Sequence, residues 1–183
     1  MEGVNHFERL RVKRFRRLAD VEFDLRPLTV LIGANSVGKT SLLDVLTLLA
    51  RSAQGALSAT IAEYSGLGAI LTYGRAEELT VGLTTSVREQ KPLDYVLRIR
   101  PKGNAYVVED ELLSQLRQPL PPLKLIDSHG IDVRYFEVDE YSLVRPTWEH
   151  NPLETSLSQV PKMFREPEEF RRKLASSTYY PTG

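Results

Sequence analysis

The chain of 183 residues has no cysteine. This excludes a disulfide framework, a Cys-ligated zinc site and thiol catalysis. Histidine is almost as scarce: His6, His129 and His150 are the three present, and they are too scattered to suggest a His-rich metal site. There is no excess charge of either sign, since 24 Lys and Arg balance 24 Asp and Glu. Any affinity for nucleic acid or a membrane surface must then come from a local patch. Long apolar runs are missing as well. The longest, residues 42–50, is interrupted by Asp44 and is under half of the roughly 20 residues a spanning helix needs. Charges at Glu2, Glu8, Arg9 and Arg11, with no apolar core near them, argue against a secretory leader, so a cytoplasmic protein without membrane contact is expected. Glycine and proline, 11 each, are at average usage, so low-complexity disorder is not expected.

What is present is an ordinary globular mixture, 42% hydrophobic and 26% charged, long enough for one domain or one with an appendage. Residues 7–15 alternate, with Leu10 and Val12 facing one way and Arg9, Arg11 and Lys13 the other. Arg14 beside Phe15 breaks the phase and suggests a bulge. Residues 21–25 alternate again. Leu28, Val30, Leu31 and Ile32 make the nearly continuous apolar run of a strand buried on both faces. Leu42, Val45, Leu46 and Leu49 then repeat at helical spacing, widened by Leu43 and Leu48. A further short helix is expected within 54–70, ended by Gly66 and Gly68. Alternation at 79–84 and 95–100, a turn at 101–104 and a strand at 106–108 predict an antiparallel meander. Pro119, Pro121 and Pro122 predict a stiff connector, with short strands at 123–127 and 133–138. Pro167 suits a first helical position, and Glu168 and Glu169 ahead of Arg171, Arg172 and Lys173 match the helix dipole. The tail from Ser176 reads as frayed.

One motif is sharp. Gly33-Ala34-Asn35-Ser36-Val37-Gly38-Lys39-Thr40 fits G-x-x-x-x-G-K-[ST], the P-loop, between a buried strand and a helix as the motif requires. At average residue usage, a chance match in the chain has odds below about 1%. Phosphate oxygens need converging donors. Gly33 and Gly38 let the backbone curl so that N–H groups point inward. The helix beginning near Lys39 adds its unpaired N–H groups and positive end. Lys39 supplies a cation for the β- and γ-phosphates, Thr40 a hydroxyl for Mg²⁺, and Ser41 a donor for the α-phosphate. A turn that binds nothing would need neither Lys39 nor Thr40.

The stretches FERLRVKRFRRL and VEFDLRPLTVLIGANSVGKTSLLDVL resemble the N-terminal lobe of ABC-type ATPase heads, such as the RecF, OLD-nuclease and structural-maintenance-of-chromosomes proteins and related predicted ATPases. Phe15-Arg16 matches that group's "F-R" step, and Asn35 its usual Asn; Ser36 stands where the group has Gly. The resemblance is specific over about 7–50. It implies an α/β fold, a P-loop NTPase core with an antiparallel β subdomain. The expected division is a nucleotide-binding core at 1–75, the antiparallel subdomain at 76–145 and a helical or irregular segment at 146–183. It implies ATP and Mg²⁺ as ligands, held by Gly33, Asn35, Ser36, Val37, Gly38, Lys39, Thr40 and Ser41, with Thr40 on the metal and Arg16 close to the phosphates. Such heads hydrolyse ATP with a Walker B strand ending in Asp-Glu, a signature sequence from a second head and a switch histidine. Asp139-Glu140 is the one Asp-Glu candidate, and Glu137 breaks the apolar run before it, so it reads as a decoy. No signature sequence is evident. The expectation is therefore an ATP-binding first lobe without catalytic residues, completed by a C-terminal lobe or, in a homodimer, by a second head.

Two other features carry weaker readings. Asp127-Ser128-His129-Gly130 fits the D-x-x-G switch of P-loop GTPases, but no N-K-x-D guanine-reading motif accompanies it, and a plain turn accounts for it as well. Arg9, Arg11, Lys13, Arg14, Arg16 and Arg17 form a basic stripe. It reads as the solvated face of an edge strand, whose charge blocks unwanted pairing. A patch facing DNA, in a module that need not hydrolyse nucleotide, is the alternative.

Overall fold

The structure, a computed structural model, describes residues 7–16, 18–25, 36–71, 77–85 and 92–177, with side chains in the first helix described from Thr40 onward. The expected strand at 28–32 and the residues Gly33 and Asn35 lie outside this set, as does the tail beyond Ser177. Eight strands form one sheet: β1 (Phe7–Phe15), β2 (Leu18–Asp24), β3 (Leu79–Thr85), β4 (Leu93–Lys102), β5 (Ala105–Gln115), β6 (Leu123–His129), β7 (Asp132–Glu137) and β8 (Ser142–Val144). Their order is β2-β1-β3-β4-β5-β6-β7-β8, and every described pairing is antiparallel. Helices α1 (Ser36–Ala53), α2 (Leu57–Glu63), α3 (Leu67–Ile70) and α4 (Arg165–Ala175), with a 3-10 turn at Leu157–Gln159, complete the α/β fold.

Alternation decides the two faces. Leu79, Val81 and Leu83 of β3 and Leu93, Tyr95, Leu97 and Ile99 of β4 point into the core, with their neighbours on the other side. Helix α1 buries Leu42, Val45, Leu46, Leu48, Leu49 and Ala53 in the same core. Helix α4 inserts Phe170 edge-on against Phe7, with ring centroids 5.8 Å apart, and against Tyr95 at 5.5 Å. Glu154 accepts from the backbone N–H of Leu57 at 2.9 Å and of Ser58 at 3.3 Å, serving the start of α2, which has no side-chain cap of its own.

Several expectations are corrected. The basic stripe is not on an edge strand: β1 is paired on both sides, by β2 and by β3. Its charge therefore does not guard an open edge. At Arg14 the backbone turns left-handed, φ 66°, which brings Phe15 back to the core without a shift in the β1–β2 register. The irregularity in β1 falls instead between Phe7 and Arg9, against β3. Helix α2 already ends at Glu63; Gly66, at φ 93°, is the N-cap of α3, and Gly68 lies inside α3. Pro167 is the third residue of α4, which begins at Arg165. Strand β8 and the 3-10 turn, too short for periodicity to register, went unforeseen.

Candidate functional site

The backbone of Ser36, Val37, Gly38, Lys39 and Thr40 forms the first turn of α1. A helix start offers N–H groups without intrahelical partners and the positive end of the peptide dipoles. No acidic residue occupies this turn, so nothing in it competes with an incoming anion. Thr40 is exposed, and Ser41 is buried. A hydroxyl at the exposed Thr40 position and an acid-free helix start fit a nucleotide phosphate with its metal.

Arg16 comes to this helix from the connection between β1 and β2. It sits at φ 47°, and its backbone N–H donates to Ile70 O at 2.6 Å. Its guanidinium Nη1 donates to Asp44 Oδ2 at 2.5 Å and lies over the Tyr64 ring, 4.9 Å from the centroid. Asp44 stands one turn after Thr40, so the two side chains share a face of α1. Tyr64 donates its hydroxyl to Asp44 Oδ1 at 3.4 Å, and burial, then the Asp44 charge, raises its pKa above the usual tyrosine value. The structure thus links Arg16 to Asp44, the ninth residue of α1. Asp44 and Tyr64 were missed as site residues. The signal for Asp44 was its interruption of the apolar run, whereas nothing in the sequence marked Tyr64.

The remaining stripe cations lie on the outer face of the sheet, and most are neutralised. Arg9 pairs with Glu22 at 2.9 Å, Arg11 with Asp94 at 2.5 Å and Arg14 with Glu78 at 3.6 Å. Lys13 makes no ion pair among the described residues, and Arg17 lies outside them. Arg11 reaches Asp94 by crossing β3 at Gly82, where a Cβ would meet its Nε at 2.8 Å. The same face continues through Arg98, which pairs with Glu78 at 2.7 Å and Asp110 at 2.5 Å, to His129. A hydrogen bond to Asp110 raises the His129 pKa.

The D-x-x-G residues belong to this face and to a hairpin. Asp127 and His129 are in β6, and Gly130, at φ 57°, starts the tight turn into β7. Asp127 is engaged by Lys124 and His129, both at 3.1 Å. Asp139-Glu140 lies exposed in the turn between β7 and β8, not at the end of a buried strand.

The sheet's other notable group is on the inner face. A bulge at Glu109 shifts the β4–β5 register, pairing Arg98 with Asp110 but Ile99 with Val108, and so turns Glu111 into the core. There it is 1% exposed. Its carboxylate accepts from the Ser156 N–H at 2.6 Å, the Leu157 N–H at 2.7 Å and the Tyr95 hydroxyl at 2.9 Å. Burial pushes its pKa up to about 7 against the pull of those donors. Tyr135 donates to Ser156 O at 2.7 Å, and Ser128 and Ser156 share a 2.8 Å hydroxyl contact. A cleft of about 410 Å³ lined by Tyr135, Trp148, Met163 and Phe164 lies beside β7 and β8, with mostly apolar walls. Glu137, Arg145 and Thr147 also line it, and Trp148 Nε1 is buried there without a hydrogen-bond partner among the described residues.

Residues 7–113 match the family model described as AAA ATPase domain, more than half of the chain. The match runs from β1 into β5 and includes the P-loop motif, Arg16, Asp44 and Tyr64. Asp127 to Gly130 and Asp139-Glu140 fall outside it. No curated protein matches the chain. Among the described residues, no helix is long and apolar enough to cross a membrane.

Proposed function

The chain belongs to the AAA ATPase domain family of nucleotide-binding P-loop ATPases, and from that membership we propose that it binds Mg-ATP on the first turn of α1, as the N-terminal lobe of an ABC-type head. The observation that carries this reading is the start of α1 within G-x-x-x-x-G-K-T, with no carboxylate in its first turn. Gly33, Asn35, Ser36, Val37 and Gly38 give backbone donors to the phosphates, Lys39 gives its ammonium, and Ser41 supports the turn. Thr40 is the residue to hold Mg²⁺, which when bound offsets phosphate charge. Arg16 approaches the phosphates from the β1–β2 connection.

Hydrolysis asks for more than binding. Phosphoryl transfer needs a metal held on two sides and a group that orients the attacking water. Binding the ground state alone does not lower the barrier. On this reading those groups come from a C-terminal lobe and a second head, in a homodimer of complete heads.

Removing the Lys39 ammonium deletes a charge-assisted contact worth roughly 1.5–3 kcal/mol. Lys39→Ala should therefore weaken labelled ATP binding about tenfold or more, with an unchanged thermal melt. ATP should also displace the label better than GTP. Equal affinity in the variant would contradict the site, and a preference for GTP would favour Asp127 and Gly130 as a switch.

A further inference from the structure

We infer that Asp44 and Tyr64 are positioning residues for a nucleotide phosphate, acting through Arg16; this rests on the Mg-ATP reading above. Arg16 occupies a left-handed backbone conformation that a residue with a side chain adopts at a cost. The turn itself calls for it, because Phe15 pairs with Leu18 and Arg16 opens the tight β1–β2 hairpin, where a positive φ is usual; three contacts then hold the residue in place. The backbone N–H is bound to Ile70 O, the guanidinium face lies on Tyr64, and Nη1 is bound to Asp44.

The way Arg16 is held is informative. A guanidinium carries five N–H donors in a planar fork. Among the described residues, one of them is committed, to Asp44 Oδ2. The side chain remains 32% exposed. A long side chain with four rotatable bonds is thereby fixed in direction, and among the described residues its other N–H groups meet no hydrogen-bond acceptor. Asp44 is anchored on α1 one turn, about 6 Å, beyond Thr40. The carboxylate that orients Arg16 is thus built into the helix whose start is the proposed phosphate site. Tyr64 supports both partners, the guanidinium through its ring and Asp44 through its hydroxyl. The pair stays partly exposed, 32% at Arg16 and 22% at Asp44, where ion pairs contribute little to stability.

Ordering a side chain before binding removes that cost from the binding step. Freed from Asp44, Arg16 would sample many rotamers and lose most of its contribution to phosphate affinity. The expected effect is a drop in ATP affinity of about fivefold in Asp44→Asn, against about tenfold in Arg16→Ala, as befits one charge-assisted contact.

The test is a double-mutant cycle read by labelled ATP titration, with Asp44→Asn made in the wild-type chain and in Arg16→Ala, and Lys39→Ala alongside. The proposal expects Lys39→Ala to lose binding, Asp44→Asn to weaken it, and Asp44→Asn to have no further effect once Arg16 is alanine. A structural disturbance of α1 would weaken binding equally in both backgrounds, and that result overturns the proposal. Lys39-dependent binding that Asp44→Asn leaves unchanged also overturns it while the nucleotide site stands. ATP binding unaffected by Lys39→Ala overturns the underlying site and the proposal together.

Discussion

Arg16 and Glu111 are both ionisable residues held by side chains and backbone from distant parts of the chain, and they are held in opposite ways. Glu111 is fully enclosed, and both carboxylate oxygens receive N–H or O–H donors from β4 and from the 3-10 turn. It has no capacity directed outward. Arg16 is about a third exposed, with one donor committed among the described residues, and the β1–β2 turn delivers it to α1. A saturated buried carboxyl is an architectural node, which here docks Ser156 and Leu157 onto the sheet. A charge incompletely used among the described residues, one turn along α1 from Thr40, suits a ligand. Substitutions at the first should therefore change stability without touching nucleotide affinity, and substitutions at the second should do the reverse.

The largest effect is expected from Glu111→Ala. It strands three buried donors at ~1–3 kcal/mol each, offset in part by relief of the carboxylate's own burial, for a net loss of about 3 kcal/mol. Urea unfolding would measure it, and an ATP affinity that fell in step would break the comparison.

A pH profile sharpens the same point. The Glu111 pKa rises from 4.5 to about 7 on folding. A group with a raised folded pKa contributes stability fully below its unfolded value and loses it as pH climbs through the folded one. About two and a half units correspond to roughly 3 kcal/mol between pH 4.5 and 7.5. Glu111→Gln should flatten this fall relative to wild type, the difference between the two profiles cancelling His129, His150 and the other titrating groups. Superimposable profiles would contradict the assignment.

The outer face provides the smallest effects. Its ion pairs are largely exposed, and such pairs contribute about 0–1 kcal/mol each. Gly82→Ala would press a Cβ on the guanidinium end of Arg11, a flexible group that can move aside. It should cost under about 1 kcal/mol, the loss of the Arg11–Asp94 pair, in a thermal melt. Substituting Arg9, Arg11 and Lys13 together should leave ATP affinity unchanged. Any duplex-DNA binding should change its salt slope by no more than about 0.9, the one contact Lys13 could make, because Arg9 and Arg11 are already paired with carboxylates.

The sequence made the phosphate-binding motif, the apolar stripe of α1 and the β3–β4–β5 meander legible because each rests on local spacing. It concealed whatever depends on register. Glu111 reads as one acid in a run with Glu109 and Asp110, and only the bulge at Glu109 turns it inward. Likewise, the stripe on β1 looks like an edge because the neighbouring β3 lies more than 60 residues away in the chain. Arg16 could be named from resemblance, but its partners Asp44 and Tyr64 come from α1 and from the turn after α2, and no periodicity joins them.

The most direct measurement is backbone amide exchange with and without Mg-ATP. The account predicts that nucleotide slows exchange in residues 36–41 and at Arg16, and leaves the amides of Ser156 and Leu157, bound to Glu111, unchanged. Protection centred instead on residues 155–157, or on the Asp127 to Gly130 hairpin, would contradict it.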